Sequence, residues 1–319
     1  MLNLYQLSIE AMIHMLKNNG ELGIICPSTL FADISAARLR KYILSRHKVS
    51  FIKYFSEDDP LFDNVTQATC IFHLSKNGKT TNIEIEQHNK VFNISIDNVK
   101  RLFSENWEIP SIDKVEWDIL SKLEPFKKVK DYDYIRNKRG ELDLTLYREY
   151  ITLVPTKLRL VRGNMLTENG IVDKNHEYVD LNFLKKKSSD YMKNDYGHKR
   201  LVCQQISNQT QRVRLKFIVS NENDILGNSC NYITVPVDDI EIVSALLNSA
   251  LLNWRFKITS TNNHINNYEL DELPLINIED LSTSIVNCQP VDRDKEICKL
   301  YGLNELETNY ILKNYYETI

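Results

Sequence analysis

Residues 2–31 read LNLYQLSIEAMIHMLKNNGELGIICPSTLF, and how this stretch is read decides the fold. Leu4, Leu7, Ile9, Met12, Ile13 and Leu16 recur with the three- and four-residue spacings of an amphipathic helix. Asn18-Asn19-Gly20 stops that helix, because Asn and Gly tolerate the left-handed backbone that ends helices. Leu22 to Cys26, closed by Pro27, is an apolar run that predicts a buried strand. A helix feeding a buried strand is half of an α/β unit, and such a strand is expected to have parallel neighbours with helices on both faces. On this reading the chain opens in the middle of a sheet.

The chain has 319 residues, room for about two domains at roughly 150 residues each. Hydrophobic residues make up 42% and charged residues 26%, the balance of a globular protein. No apolar run approaches the ~18 residues of a membrane span, and MLNLYQ lacks the basic and apolar regions of a signal peptide. Six cysteines form no CxxC pair, which predicts reduced core thiols in a cytoplasmic protein and no metal site. The net charge of −3 hides a split. Residues 125–230 hold 20 Lys/Arg against 13 Asp/Glu, while residues 231–319 hold 6 against 14. A basic middle between acidic ends points to a localised anionic partner, for which double-stranded DNA is the common case, or to a lysine-rich solvated surface.

Further strands are expected at Val49 to Phe55 and Ala68 to Leu74, with an edge strand at Asn82 to Gln87. Between them Ser28 to Leu44 reads as a helix with Arg38, Arg40 and Lys41 on its outer face, and Glu57 to Pro60 as a loop. Pro125 marks a boundary. Beyond it strands shorten and polar loops multiply until helical periodicity returns at Ile240 to Ser260. Asp292 to Ile319 reads as two helices around Tyr301-Gly302-Leu303.

Three stretches carry side chains suited to chemistry. PLFDNVTQATCIFHL (60–74) sets Phe62 in a loop just before a strand, either as a flat face for a planar group or as a plug closing the sheet edge. SNQTQRVRLKF (207–217) leads a polar turn into an alternation that would put Arg212, Arg214 and Lys216 on one strand face. Asn208, Gln209, Thr210 and Gln211 suit base edges, and the cations suit phosphates. STNNHINNYELDELPL (260–275) gathers four asparagines and His264 in one loop. Asn pairs well with adenine and is also an ordinary turn residue.

Taken together the three stretches resemble the C-terminal portion of the adenine-N6 DNA methyltransferases of type II restriction-modification systems, in the class with a TaqI-like target-recognition domain. That family's GG-x-L-x-x-I-x-P pattern is similar to Asn19-Gly20-Glu21-Leu22-Gly23-Ile24-Ile25-Cys26-Pro27, with Asn19 in place of the first glycine. A second family pattern runs through Leu61-Phe62, Val65, Thr69, Ile71 and Lys76. The resemblance implies an α/β fold: residues 1–124 as the C-terminal part of a Rossmann-like methyltransferase sheet, residues 125–276 as a mixed α+β target-recognition domain, and residues 277–319 as a short helical tail. It implies that Phe62 stacks on a flipped adenine and that Pro27 walls the strand end of the base pocket. DNA contacts are then expected from Lys128, Arg136, Lys138 and Arg139, from Asn208 to Arg212 and Arg214, and from Asn263 and His264.

S-adenosylmethionine is the implied cofactor, yet the family's glycine-rich donor loop and its [N/D]-P-P-[Y/F] tetrapeptide do not occur: the chain contains neither Gly-x-Gly nor Pro-Pro. The expectation is therefore a chain inactive alone, with the donor-binding N-terminal half supplied by another segment or polypeptide, or a first domain that pairs through its open strand. A non-catalytic DNA specificity subunit steering a separate methylase or nuclease is the alternative reading, and a protein-interaction module a third.

Overall fold

The computed structural model describes residues 3–56, 61–62, 67–168, 170–260, 263–278, 281 and 283–316. The expected loop at Glu57 to Pro60, the motif position Val65 and residues 261–262 lie outside the described residues. The chain divides into two compact units, Met1–Glu124 and Pro125–Ile319.

In the first unit α1 (Leu4–Met15) buries Ile9 and Ile13, four residues apart on one face, and leaves Leu4, Leu7 and Met15 exposed. Asn19, at φ 58°, takes the left-handed turn into β1 (Glu21–Pro27). Then follow α2 (Thr29–Ala32), α3 (Ala37–Arg46), β2 (Lys48–Phe55), β3 (Thr69–Ser75), β4 (Asn82–Gln87), β5 (Lys90–Ser95), α4 (Ile96–Leu102) and α5 (Lys114–Leu123). The strands form one sheet in the order β1-β3-β2-β4-β5. Only β2 and β4 run parallel; the other pairs are antiparallel.

The sheet corrects three expectations. Strand β1 is not flanked by parallel neighbours: it pairs antiparallel with β3, and its other edge is open among the described residues. Ile25 is accordingly 45% exposed, although Cys26 is buried. Strand β4 is interior, because the unanticipated β5 pairs outside it from Asn82↔Ser95 to Gln87↔Lys90. Arg40 is fully buried instead of facing water. Its guanidinium donates to the carbonyls of Leu30 (2.8 Å), Asp33 (2.9 Å) and Asn106 (2.9 Å), tying α3 to the turn before it and to the segment after α4. Burial lowers its pKa, and carbonyl acceptors supply what water would. Around it Phe31 meets Phe72 edge to face at 5.4 Å between ring centres, with Ile43, Ile52 and Leu74 completing the core.

The second unit is built on a four-stranded antiparallel sheet. Its elements in chain order are β6 (Arg136–Arg139), β7 (Ile151–Thr152), β8 (Leu160–Val161), β9 (Leu166–Thr167), β10 (Gly170–Ile171), β11 (Tyr178–Val179), α6 (Ser189–Asn194), β12 (Leu201–Gln204), β13 (Ile218–Val219), β14 (Ile225–Leu226), β15 (Cys230–Thr234), α7 (Ile240–Leu247), α8 (Ala250–Thr259), α9 (Asn267–Asp271), α10 (Pro290–Leu300) and α11 (Glu305–Tyr316). The main sheet has the order β13-β12-β15-β6, and three two-residue ladders, β7–β11, β8–β14 and β9–β10, flank it. Helix α8 is buried from Ala250 through Phe256, taking in Leu251, Leu252, Trp254 and Phe256 along with Asn253 and Arg255, and Ser249 caps it by accepting from the Leu252 N–H (3.2 Å). The DELPLI segment is core: Leu273, Leu275 and Ile276 are buried, and its backbone pairs with residues 127–129 (Leu275 N–H to Lys127 O, 2.7 Å; Val129 N–H to Leu273 O, 2.9 Å).

At the centre of this unit Glu141, just past β6, accepts from Tyr191 Oη (2.8 Å), from both Arg200 terminal nitrogens (3.0 and 3.3 Å) and from the Leu226 N–H (3.0 Å). Arg200 also donates to the Asp224 carbonyl (2.5 Å) and lies over the Tyr232 ring at 4.8 Å. Both side chains are shut off from water, at 0% and 2% exposure. Desolvation opposes the charge on Arg200, but Glu141, Tyr191 and Tyr232 together outweigh it and raise the guanidinium pKa. Replacing Glu141 by Gln strands a buried cation, so the Glu141→Gln variant is expected to lose about 3–5 kcal/mol, the cost of breaking a buried pair from one side. Urea denaturation monitored by tryptophan fluorescence measures it; a loss under ~1 kcal/mol would show the pair to be dispensable.

Candidate nucleic-acid interface

Strand β6 sorts its four residues by alternation. Arg136 and Lys138 point to one side, Asn137 to the other, and Arg139 leaves the strand end. Arg136 pairs with Asp190 of α6, and Lys138 donates to Asp195 (2.9 Å) and Asp190 (3.2 Å). Asp195 is fully buried and Asp190 is 58% exposed. Lys128 and Lys130 both hold Glu272. Three of the expected phosphate contacts, Lys128, Arg136 and Lys138, therefore carry intramolecular carboxylate partners. The cation pattern does not reveal these acids: Asp190 and Asp195 are two of the 13 acids interspersed through residues 125–230, and Glu272 lies beyond that span.

Arg139 stands differently. It is exposed, donating from Nε to the Asn228 carbonyl (2.8 Å) and from Nη2 to the Gln205 side-chain oxygen (3.1 Å). Gln205 follows β12 and opens a surface in which two of the stretches singled out in the sequence meet. The Ile265 N–H donates to Gln205 O (2.7 Å), the Ser207 N–H to Asn263 O (2.9 Å), and the Gln209 N–H to the Asn263 side-chain oxygen (3.0 Å). Ile206 and His264 face each other in an antiparallel bridge. Asn208 folds the turn by accepting from the Thr210 N–H and hydroxyl (3.0 Å each). Gln211 accepts from Ser207 Oγ (2.9 Å). The result is one contiguous platform on which Asn208, Gln209, Thr210, Gln211, Arg212, Asn263 and His264 are all exposed. From beneath, buried Asn231 of β15 donates to the Ile265 carbonyl (2.6 Å).

Arg214 is a correction. The stretch 212–217 is not a strand, so the expected one-sided alternation does not exist. Two asparagines hold it as irregular backbone. Asn253 of α8 accepts from the Arg214 and Leu215 N–H groups (2.8 and 3.2 Å) and donates to Arg212 O (2.9 Å), and Asn248 does both for Phe217 (2.8 Å each). Arg214 turns inward to 1% exposure, over the Phe256 ring at 5.0 Å, with its guanidinium on the Ser207 and Ser260 carbonyls. It lies behind the platform, buried away from the exposed face.

In the first unit Pro27 is half-buried and ends β1 opposite Thr69, which also opposes Phe55, the last residue of β2. The connection between β2 and β3 leaves and re-enters at that end of the sheet, where Ser28 donates from N and Oγ to the Ala68 carbonyl (3.1 and 3.2 Å). Phe62 lies on this connection and is 47% exposed, so it does not act as a buried plug. Cys26 and Cys70 face one another across β1 and β3 as buried thiols, Sγ to Sγ 3.7 Å.

Residues 1–62 match the family model of the Eco57I restriction-modification methylase. No curated protein matches the chain. Among solved structures, the type IIL restriction-modification enzyme MmeI, in complex with DNA, is 10% identical over 99% of this chain and 49% of its own, with a TM-score of 0.48. The type IIG restriction endonuclease BpuSI is 10% identical over 93% of this chain and 44% of its own, TM-score 0.40. The M protein of the type I enzyme EcoKI is 13% identical over 27% and 19%, TM-score 0.25. The chain thus spans less than half the length of each. No helix among the described residues is long and apolar enough to cross a membrane.

The acid clamp gives a pH signature. Arg136 first, then Lys138 and Asn194, hold the Asp190 carboxyl down at about 2. A folded-state pKa depressed below the usual carboxylate value near 4 contributes stability at neutral pH that is lost as pH falls from about 4 through about 2. The stability gap between the protein and its Asp190→Asn variant should therefore be full at pH 6 and close by pH 2, as read by urea midpoints across that range. A gap that does not change with pH would show Asp190 to be unpaired in solution.

Proposed function

We propose that this chain is the DNA-reading and base-pocket half of an S-adenosylmethionine-dependent, adenine-N6-specific DNA methyltransferase of a restriction-modification system, acting with a segment or polypeptide that carries the donor-binding half. The observation that carries the reading is the methylase-family match over residues 1–62, which covers β1 with Pro27 and runs to Phe62. The exposed platform of Asn, Gln, Thr, Arg and His side chains supports it, since these are the side chains that pair with base edges in the major groove.

The residues of this chain do not fit the methyl donor. The sequence holds neither a Gly-x-Gly nor a Pro-Pro pair with which to cradle it, and the turn just past β1 is closed by the fully buried Leu30 and Phe31, the latter packed on Phe72. No step here runs through the donor. What the chain's own residues do is bind, read and receive. Adenine N6 is out of reach inside a duplex, and extruding the base costs a few kcal/mol. An exposed aromatic such as Phe62 returns about 1–3 kcal/mol by stacking. Arg139, held on the platform's rim by a carbonyl and an amide oxygen, sits where it can take a phosphate or a guanine edge, and exposed Arg212, which donates to the Tyr316 carbonyl (3.2 Å), is a second such cation. Arg136, Lys138 and Lys128 would have to leave their acids to do so.

Fluorescence anisotropy with labelled duplex DNA, at several salt concentrations, tests the binding half of the proposal. Binding should weaken steeply with salt, and Arg139→Ala should lower the log–log slope by about 1. Binding that is absent at low ionic strength would remove DNA from the account. In the assembled enzyme Phe62→Ala should slow methylation about tenfold to a hundredfold and reduce 2-aminopurine fluorescence at the target. An unchanged rate would leave the chain as a reading subunit without a part in the base pocket.

A further inference from the structure

The platform carries one residue that its polar chemistry does not explain. Ile206 is 60% exposed in the middle of it. Its neighbours along the chain and across the bridge are Gln205, Asn208, Gln209, Asn263 and His264. A large apolar side chain held out among hydrogen-bonding groups gains nothing from folding, because its surface stays in water.

Its presentation is rigid. Main-chain bonds brace it on both sides: Gln205 N–H to Ser229 O (2.9 Å), Ile265 N–H to Gln205 O (2.7 Å) and Ser207 N–H to Asn263 O (2.9 Å). The Asn263 side chain adds a fourth tie to Gln209. As a β-branched residue in extended backbone, Ile206 has little χ1 freedom to lose on contact. Arg139 lies beside it through Gln205, and the amide side chains of Asn208 and Gln209 follow it within three residues.

We propose that Ile206 is a specificity-determining residue that recognises the 5-methyl group of thymine in the major groove. The inference rests on the DNA-reading role proposed above and deepens it. The major-groove edge of an A·T pair offers acceptors, a donor and one apolar group, the thymine methyl, so a reading surface that distinguishes all four pairs pairs amide and guanidinium side chains with an apolar contact. The platform holds those side-chain types together: amides for adenine, an arginine for guanine, and Ile206 for the methyl. The surrounding polar residues argue against an apolar wedge driven between base pairs, a role served from the minor groove.

The test uses the full chain and selects bound duplexes from a random-sequence library, then replaces thymine by deoxyuridine one position at a time in the selected duplex. Deoxyuridine keeps pairing and every hydrogen-bonding group and removes only the methyl. At one or two positions the wild-type protein should bind the deoxyuridine duplex about fourfold more weakly, the value of one buried carbon group. Ile206→Ala should bind thymine and deoxyuridine duplexes equally at those positions, and Ile206→Val should keep part of the difference. Both variants alter an exposed side chain, so the urea midpoint should not move. DNA binding with no position sensitive to deoxyuridine, or an Ile206→Ala protein that keeps the discrimination, overturns this inference and leaves the DNA-reading role standing. A chain that selects no duplex overturns both.

Discussion

The second unit depends on a single buried ion pair. Glu141 and Arg200 lie out of reach of water, and between them they join α6 through Tyr191, β14 through the Leu226 N–H, the residue before it through the Asp224 carbonyl, and β15 through the Tyr232 ring. A buried pair is seldom a net gain over an apolar substitute, because desolvating two charges costs about as much as their attraction returns. Its effect is to fix geometry. Few apolar side chains are available where strands are two to five residues long, and hydrophobic burial alone does not choose among nearby packings of such short pieces. Directional bonds from one carboxylate and one guanidinium do.

The same principle recurs at smaller scale. Asn253, Asn248, Asn231 and Asn263 each bind backbone groups that no strand or helix satisfies. Buried irregular backbone must find partners somewhere, and an amide side chain supplies a donor and an acceptor together. The platform is thus made of loop, but loop pinned at fixed points, with Arg214 filling the space behind it. In the first unit Arg40 plays the matching part, taking three carbonyls in place of water.

Much of the first unit was legible in the sequence because its elements are long and periodic. Helix α1 and strands β1 to β4 fall where spacing puts them. What misled was the environment of each element: an apolar run such as Leu22 to Cys26 says that a strand forms, and nothing about how many neighbours it has. The extra strand β5, KVFNIS, follows two left-handed residues, His88 and Asn89, whose turn signal was there to be read. In the second unit, the alternation of Arg212, Arg214 and Lys216 has the spacing of a strand, but spacing of charges carries no information on what pairs with the backbone. Two asparagines about 40 residues downstream decided it, and no local pattern announces them. The meeting of the 207–211 turn with the 263–265 segment was likewise a long-range fact, although both stretches had been marked for their composition.

Because the 205–209 and 263–265 segments are tied through main-chain atoms, with the Asn263 side chain adding a bond to Gln209, the surface and the scaffold answer to separate constraints. Side chains at 206 and 209 can be exchanged while the main-chain hydrogen bonds under them stay closed, whereas Asn208 and Gln211 also hold the turn. A lineage of such proteins would then drift in what it reads without first passing through unfolded intermediates, and its vocabulary would diversify faster than its framework.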